Sequence, residues 1–389
     1  MRHRAARRIP SQSRTMFRFI HSSDLHIGKR FGNFPEDLRG RLREARHGAL
    51  ARLAEQARQQ GAGTILLAGD TFDTETPTPQ MLHHALQDMG QAAELNWVIL
   101  PGNHDSLLAD ELWLRARTIL PPNVTLALEP TPIPLGNAVV LLPAPCTTRR
   151  PGRDLTEWMS QAPTPEGTLR VGLAHGPVLD FSEDGAKGDV IAPDRATLAG
   201  LDYLALGDWH GRLAINERTH YSGAPEPDRF KHSKPGEALL VSIAGPGALP
   251  AVSGLPTASF AWQTSPLEIL GDDDGLDGLE AVLPEAGARR HTLLRLTLSG
   301  QARIAVRTAL ATRSEAIAPQ FAHFEVEDSA LLTECEASDL EAIDHAGALR
   351  LAAETLLAES GDTLLSADER AIAQAALMRL FTYCEQVEA

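Results

Sequence analysis

Cysteine is scarce in this chain. Cys146, Cys335 and Cys384 are too far apart to form a C-x-x-C metal knuckle or a disulfide framework. A reducing compartment, the cytoplasm, is therefore the expected location. Long apolar runs are also missing, and none approaches the roughly 20 residues that span a bilayer. No membrane partner is expected. The first fifteen residues, MRHRAARRIPSQSRT, hold five arginines and no acid. No apolar stretch follows them as it would in a secretory leader. Residues 1–15 read as a flexible basic tail, with Met16 as an alternative start.

Lysine disappears after residue 270. Residues 271–389 hold 22 acids and 9 arginines, whereas the preceding 270 residues hold 29 acids and 27 bases. Of the net charge of −15, −13 thus belongs to the carboxyl-terminal part. Basic loops in the balanced part can still hold phosphates, so the overall charge does not exclude a polyanionic ligand. No internal repeat is visible.

What is present is a globular composition, 43% hydrophobic and 22% charged over 389 residues, enough for two domains. From Met16 to about Leu240, strand-like runs alternate with helical patterns. The runs are FRFIHSSD, TILLAGD, NWVILPGNHD, LRVGLAHG and LDYLALGDWH, each ending in a small residue or proline and then polar residues. Between the first two, apolar residues from Leu38 to Ala57 recur at helical spacing. TPQMLHHALQDMGQAAEL is a second helix candidate, with proline near its start. This rhythm predicts an α/β domain whose helices cover a sheet. Farther on, EALLVSIAG and ASFAWQTSPLEIL lack an intervening helix and are expected to complete a second sheet of the same domain. GDDDGLDG, Gly271 to Gly278, reads as a linker or exposed loop. Beyond it, HTLLRLTLSG, IAVRTALATRSEAI, AHFEVED and two terminal helical patterns predict a small second α/β domain. The expected division is a tail at 1–15, a first domain at 16–270, and an acidic α/β cap with carboxyl-terminal helices at 271–389.

Five polar clusters follow five of the strands. They are Asp24-x-His26, Gly69-Asp70-x-x-Asp73, Gly102-Asn103-His104-Asp105, His175-Gly176 and Gly207-Asp208-x-His210. A single D-x-H triplet or a single strand-end Gly-Asp is an ordinary accident. All five together, each at the carboxyl end of a strand, place their side chains along the edge where open α/β sheets keep ligands. Carboxylates, imidazoles and an amide make a mixed N/O site that suits Mn²⁺, Fe, Zn²⁺ or Mg²⁺ and lacks the thiolates of structural zinc. Two such ions bridged by one carboxylate can activate a water and clamp a phosphoryl oxygen.

These clusters resemble the calcineurin-like metallophosphoesterase superfamily. Within it, HSSDLHIGK, GDTFDTETPTP, YSGAPEP and the cap are similar to DNA repair exonucleases related to SbcD, the nuclease subunit of SbcCD. The resemblance implies a metallophosphoesterase fold, a two-layer β-sandwich flanked by helices and followed by the small α/β cap. It implies a metal-dependent phosphodiesterase that cleaves DNA with two divalent ions, Mn²⁺ by expectation. Asp24, His26, Asp70 and His210 would hold the first ion, and Asp70, Asn103, His175 and Asp208 the second, with Asp70 as the bridge. His104 would contact the phosphate and protonate the leaving oxygen, and Asp105 would orient it. Asp73 stands where some relatives carry an assisting histidine, and its plainer role is a hydrogen bond that fixes the loop. The implied partners are DNA, an SMC-like coiled-coil ATPase subunit and a second copy of the chain.

Asp208 departs from the family pattern, which places histidine there. A carboxylate keeps a ligand atom but adds negative charge, favouring Mn²⁺ or Mg²⁺ over Zn²⁺. Other readings stay open. Phosphoprotein phosphatases follow the second motif with arginine and glycine, whereas Asp73 here precedes TETPTP. Hydrolases of small phosphodiesters or nucleotides share the same site type, and a non-catalytic subunit that binds DNA ends or an ATPase is the alternative outside enzymes. RRPGR, Arg149 to Arg153, and DRFKHSK, Asp228 to Lys234, are loops able to meet a nucleic-acid backbone. Trp209 reads as packing. His47, His83, His84, His232, His291, His323 and His345 read as structural or surface residues.

Overall fold

In the computed structural model, which describes residues 16–136, 138–178, 190–231, 235–270, 275–334, 343 and 347–388, each strand-like run is a strand. The basic tail, most of the Gly271 segment, Cys335, His232 and His345 lie outside the described residues. The chain forms two compact units. The first reaches Phe260 and the second begins at Ala261, which also takes in the short stretch after Asp228.

In the first unit, β1 (Phe17–Ser22), β2 (Thr64–Leu67), β3 (Asn96–Ile99) and β4 (Val124–Leu126) lie parallel, side by side. A second sheet contains β5 (Ile133–Pro134), β6 (Val139–Ala144), β7 (Leu169–His175), β8 (Tyr203–Gly207), β9 (Leu213–Ala214) and β10 (Thr219–Tyr221). Its order is β5-β6-β7-β8-β10-β9. β11 (Glu237–Ile243) then returns antiparallel to β1, and β12 (Ala251–Pro256) pairs with β11 at the edge of the first sheet.

Parallel neighbours need crossover connections, and helices supply them in the first sheet. Pro79–Gln91 joins β2 to β3, with Thr78 capping it by accepting from the Met81 amide at 3.2 Å. Between β1 and β2 the single helix suggested by Leu38 to Ala57 is two helices, Glu36–His47 and Ala49–Gln60. Gly48 is where they meet, and an apolar period carried across the join hides it from the sequence.

Alternation along the strands builds the layers. Ile20, Ile65, Leu67, Trp97 and Ile99 join the helix-facing core, whereas Phe19, Leu66 and Val98 join the core between the sheets. From the other sheet, Leu141, Val171, Leu173 and Tyr203 enter the same middle layer, while Leu142, Leu204 and Leu206 face a third core with Met159 and Tyr221. Strands covered on both faces become continuous apolar runs. The first unit is thus the two-layer sandwich with flanking helices.

The second unit holds three parallel strands, β13 (Ala261–Ile269), β14 (Thr292–Arg303) and β15 (His323–Glu334). Two expectations fail. EALLVSIAG forms β11 beside β1, in the first sheet and not in a second one. ASFAWQTSPLEIL does not complete a sheet of the first domain, because β13 pairs with β14 from Ala261–Thr292 to Ile269–Gly300. The exit from the first unit is fixed just before it, where Glu226 accepts the amides of Ser259 at 2.7 Å and Phe260 at 3.0 Å. Leu267 and Ile269 then pack with Leu296 and Leu298. Helix Ile304–Ile317 connects β14 to β15, and helices Ala348–Gly361 and Ala367–Glu388 end the chain. Among the described residues, no helix is long and apolar enough to cross a membrane.

Candidate metal centre

The clusters after β1, β2 and β3 come from adjacent parallel strands, and those after β7 and β8 from an adjacent pair in the other sheet. Backbone bonds lace the loops together. The Asp24 amide donates to Gly69 O at 3.1 Å, His26 N to Asp70 O at 2.9 Å, and Gly176 N to Gly207 O at 3.1 Å. Between the sheets, the His175 Nδ1 donates to Ala68 O at 2.8 Å. Asp24, His26, Asp70 and Asp208 all have positive φ, between 44° and 103°, a region that non-glycine residues seldom occupy. Surrounding bonds hold this strain where function needs the side chains. Gly102 is required for a different reason, since a Cβ there would fall on the Asp70 carboxylate.

Asp70 lies at the centre. Its Oδ2 is 3.6 Å from His26 Nε2 and 3.6 Å from His175 Nε2, while its Oδ1 accepts the His104 amide at 2.8 Å. On one side, His210 Nε2 is 3.3 Å from His26 Nε2. His26 Nδ1 faces Asp73 at 3.2 Å and His210 Nδ1 faces Asp228 at 3.3 Å. Those carboxylates favour protons on both Nδ1 atoms, an assignment made from the network, which leaves two lone pairs pointing at each other. A cation held by both resolves that repulsion, and a carboxylate behind each metal-binding imidazole is the usual support. Ligands about 2.1 Å from one ion stand roughly 3–3.5 Å apart, so these spacings fit.

On the other side are His175, Asn103 and Asp208. His175 Nε2 is 3.9 Å from Asp208 Oδ1, and the Asn103 amide donates to the same oxygen at 3.4 Å. His175 Nε2 and Asn103 Oδ1 are buried without a hydrogen-bond partner. They are atoms with lone pairs to offer, as a cation requires. Burial lowers the His175 pKa, but Asp70, Asp24 and Asp208 outweigh it and raise it to about 9. Burial raises Asp24, yet the nearby imidazoles of His210, His175 and His26 bring it below the ordinary carboxylate value. The cradle stabilises positive charge, and its donor set fits divalent metals. Among the described residues three groupings could hold an ion, Asp24–His26–His210, Asp24–Asp70–His175 and His26–Asp70–His104.

The structure brings Asp24, His26, Asp70, Asn103, His104, His175, Asp208 and His210 together. Asp105 takes a different place from the one expected. Its carboxylate accepts the Gly102 amide at 2.7 Å and the Phe72 amide at 3.0 Å. The His104 ring is oriented by the Asp73 carbonyl, 2.9 Å from Nδ1. A side chain tied to these two amides points into the loop, so Asp105 fixes the backbone beneath His104. Burial and then Asp70 raise its pKa to about 7, against the lowering by the Phe72 and Gly102 amides. The Asp73 carboxylate faces His26 instead of a partner in its own loop, and its amide donates to Ile27 O at 3.0 Å. Trp209 packs against the third core. His47 pairs with Asp88 at 3.3 Å and belongs to none of the metal groupings.

Several supporting residues escaped sequence reasoning. Arg46, buried on Glu36–His47, donates to Leu25 O at 2.5 Å, Asp24 O at 3.2 Å and Glu226 O at 2.8 Å, clamping the first motif. Asp228 meets both His210 and, at 2.7 Å, Lys29. Ser23 links Asp24 to Ser222, with Oγ–Oγ 2.8 Å. YSGAPEPDRF contained Ser222 and Asp228, but nothing in it says which motif they support.

Sandwich and cradle together define a metallophosphoesterase. Residues 17–212 match the calcineurin-like phosphoesterase family, and the chain belongs to it. It is also 36% identical over 93 residues to the SbcD subunit of the SbcCD nuclease from Escherichia coli strain K12, and equally to that of O157:H7. This stretch is 23% of the chain and 22% of the relatives, so the likeness is distant and partial. The crystal structure of TT1561 from Thermus thermophilus is similar at 11% identity and a TM-score of 0.41, covering 62% of this chain and 99% of that one.

Proposed function

We propose that the chain is a metal-dependent DNA phosphodiesterase, a repair nuclease of the SbcD kind. The observation that carries the hydrolytic part is the convergence of Asp24, His26, His175 and His210 about the Asp70 carboxylate. The partial similarity to the SbcD subunit supports DNA as substrate. When bound, divalent ions, Mn²⁺ in this reading, supply an activated water and positive charge for the phosphoryl oxygen. Asp24, His26, Asp70 and His210 would hold the first ion, and Asp70, Asn103, His175 and Asp208 the second. His104, with Nδ1–H held by the Asp73 carbonyl, acts as the imidazolium, giving its Nε2 proton to the leaving oxygen and remaining as the neutral ring. Asp105 is a positioning residue. An SMC-like coiled-coil ATPase, a homodimer and a cytoplasmic setting belong to the same proposal.

The test uses purified protein with labelled single-stranded, blunt and hairpin DNA, and with bis(p-nitrophenyl) phosphate, under Mn²⁺, Mg²⁺, Zn²⁺ or a chelator. DNA cleavage in Mn²⁺ that the chelator abolishes is the expected result. Hydrolysis of the small diester with all DNA intact would instead make the chain a small-phosphodiester hydrolase. DNA binding without any hydrolysis would make it a non-catalytic subunit.

Asp208 gives a separate prediction. Asp208→Ala should lose one of two ions, and Asp208→His should keep both while moving the Mn²⁺/Zn²⁺ activity ratio toward Zn²⁺. Metal content by mass spectrometry and the two activities check this. Equal metal and activity in wild type and Asp208→Ala removes Asp208 from the ligand set.

A further inference from the structure

Beside the Asn103, His175 and Asp208 grouping lies a cavity of about 240 Å³ whose wall carries Arg149, Arg150 and Arg153. They come from the loop after β6, and all three are exposed. Among the described residues, none of the three guanidinium groups makes a hydrogen bond or ion pair. The acid next to Arg153 does not neutralise it. Asp154 is held by Arg195 at 2.7 Å and by the Thr156 amide and hydroxyl at 2.8 and 2.5 Å. Among the described residues Asp208 is the sole carboxylate of the lining, and Leu155, Pro177 and Ile191 make part of the wall apolar. Three positive charges against one negative, counted over the described lining, suit a dianion.

We propose that this cavity receives the terminal phosphate of a nucleic-acid strand whose neighbouring phosphodiester lies at the metal centre. The proposal rests on the nuclease reading and names its substrate class, phosphate-terminated ends. A phosphomonoester carries about −1.5 to −2 charges near neutral pH, and arginine forks match its oxygens in pairs. A diester carries one charge and offers fewer free oxygens, so the arginines favour an end over an internal linkage. The cavity is smaller than the roughly 300–1,000 Å³ that encloses drug-sized ligands. It has room for a phosphate with its sugar against the apolar wall, which sets the reach to the metal centre at one nucleotide.

The test is calorimetric binding to full-length protein in Mn²⁺, with thymidine 3′,5′-bisphosphate compared with the 3′- and 5′-monophosphates. Wild type should bind the bisphosphate about tenfold or more tightly than either monophosphate, as charged hydrogen bonds to one extra phosphate would give. In the variant Arg149→Gln/Arg150→Gln/Arg153→Gln the preference should fall to about twofold or less. Arg153→Gln alone, at an exposed position, should lower it partly, and lysine at all three positions should restore part of it. Thermal melting and Mn²⁺ content confirm that the variants are intact. Equal binding of all three ligands by wild type, or the same preference in the triple variant, overturns the proposal. DNA that stays uncut while the bisphosphate preference stands overturns the nuclease reading and leaves this site.

Discussion

Asp70→Ala should empty the centre of both ions and lower phosphodiester hydrolysis by more than about 10⁴-fold, because water activation and charge stabilisation are lost together. Asp70 Oδ2 stands 3.6 Å from an imidazole nitrogen on each side, so one methyl group in its place removes a ligand from both groupings. Its other oxygen accepts the His104 amide, and alanine leaves that donor without a partner as well. Asp70→Asn separates these roles. It keeps an oxygen but removes the charge, and should retain less than full metal with the loop in place. Metal analysis after dialysis, with activity on bis(p-nitrophenyl) phosphate, reads the outcome. Two ions retained in Asp70→Ala contradicts the bridge.

His104→Ala should do the opposite to the metals and still remove most of the activity. Turnover is expected to fall roughly 10²–10⁴-fold, the usual worth of general acid catalysis. The ring is held through Nδ1 by the Asp73 carbonyl and packs with its centroid 4.8 Å from that of His26. That leaves Nε2 for the substrate. Yet His26, Asp70 and His104 are also close enough to share an ion. Metal content therefore decides between the two roles. Two ions with little turnover fits the acid, whereas a missing ion makes His104 a ligand. A better leaving group provides a second readout, since p-nitrophenolate needs little protonation and should lose less than a DNA alkoxide does.

Legibility from sequence followed the range of each interaction. The ligand candidates could be read because each belongs to a short cluster after a strand, where local pattern and position agree. The alternation of strands and helices could be read from local pattern, but the two-layer sandwich entered through the family resemblance, because strands covered on both faces are continuous apolar runs in which only the structure separates Leu66 and Val98 from Ile65 and Trp97. What failed depended on distant partners. β13 looks like any other strand until its parallel register with β14 is known, and the helix that packs on it, Leu276–Val282, opens inside a segment that reads as a linker. Arg46 is one of four arginines on its helix, and Asp228 is an acid at the start of a basic stretch. Only the folded chain brings them to Leu25 and His210. Asp105 was found, but its partners Gly102 and Phe72 are backbone amides, which carry no mark in a sequence.

The two groupings each draw on both sheets, and His175 Nδ1 ties one sheet to the other through Ala68. The apolar filling of the sandwich is therefore also a spacer gauge for the chemistry. Phe19, Leu66, Leu141 and Tyr203 set how far apart the two rows of loops stand. A thicker or thinner filling shifts His210 against His26, and His175 against Asp70, without touching a single ligand. Selectivity among ions of different radius can thus drift through the core, out of sight of any comparison that looks only at the motifs.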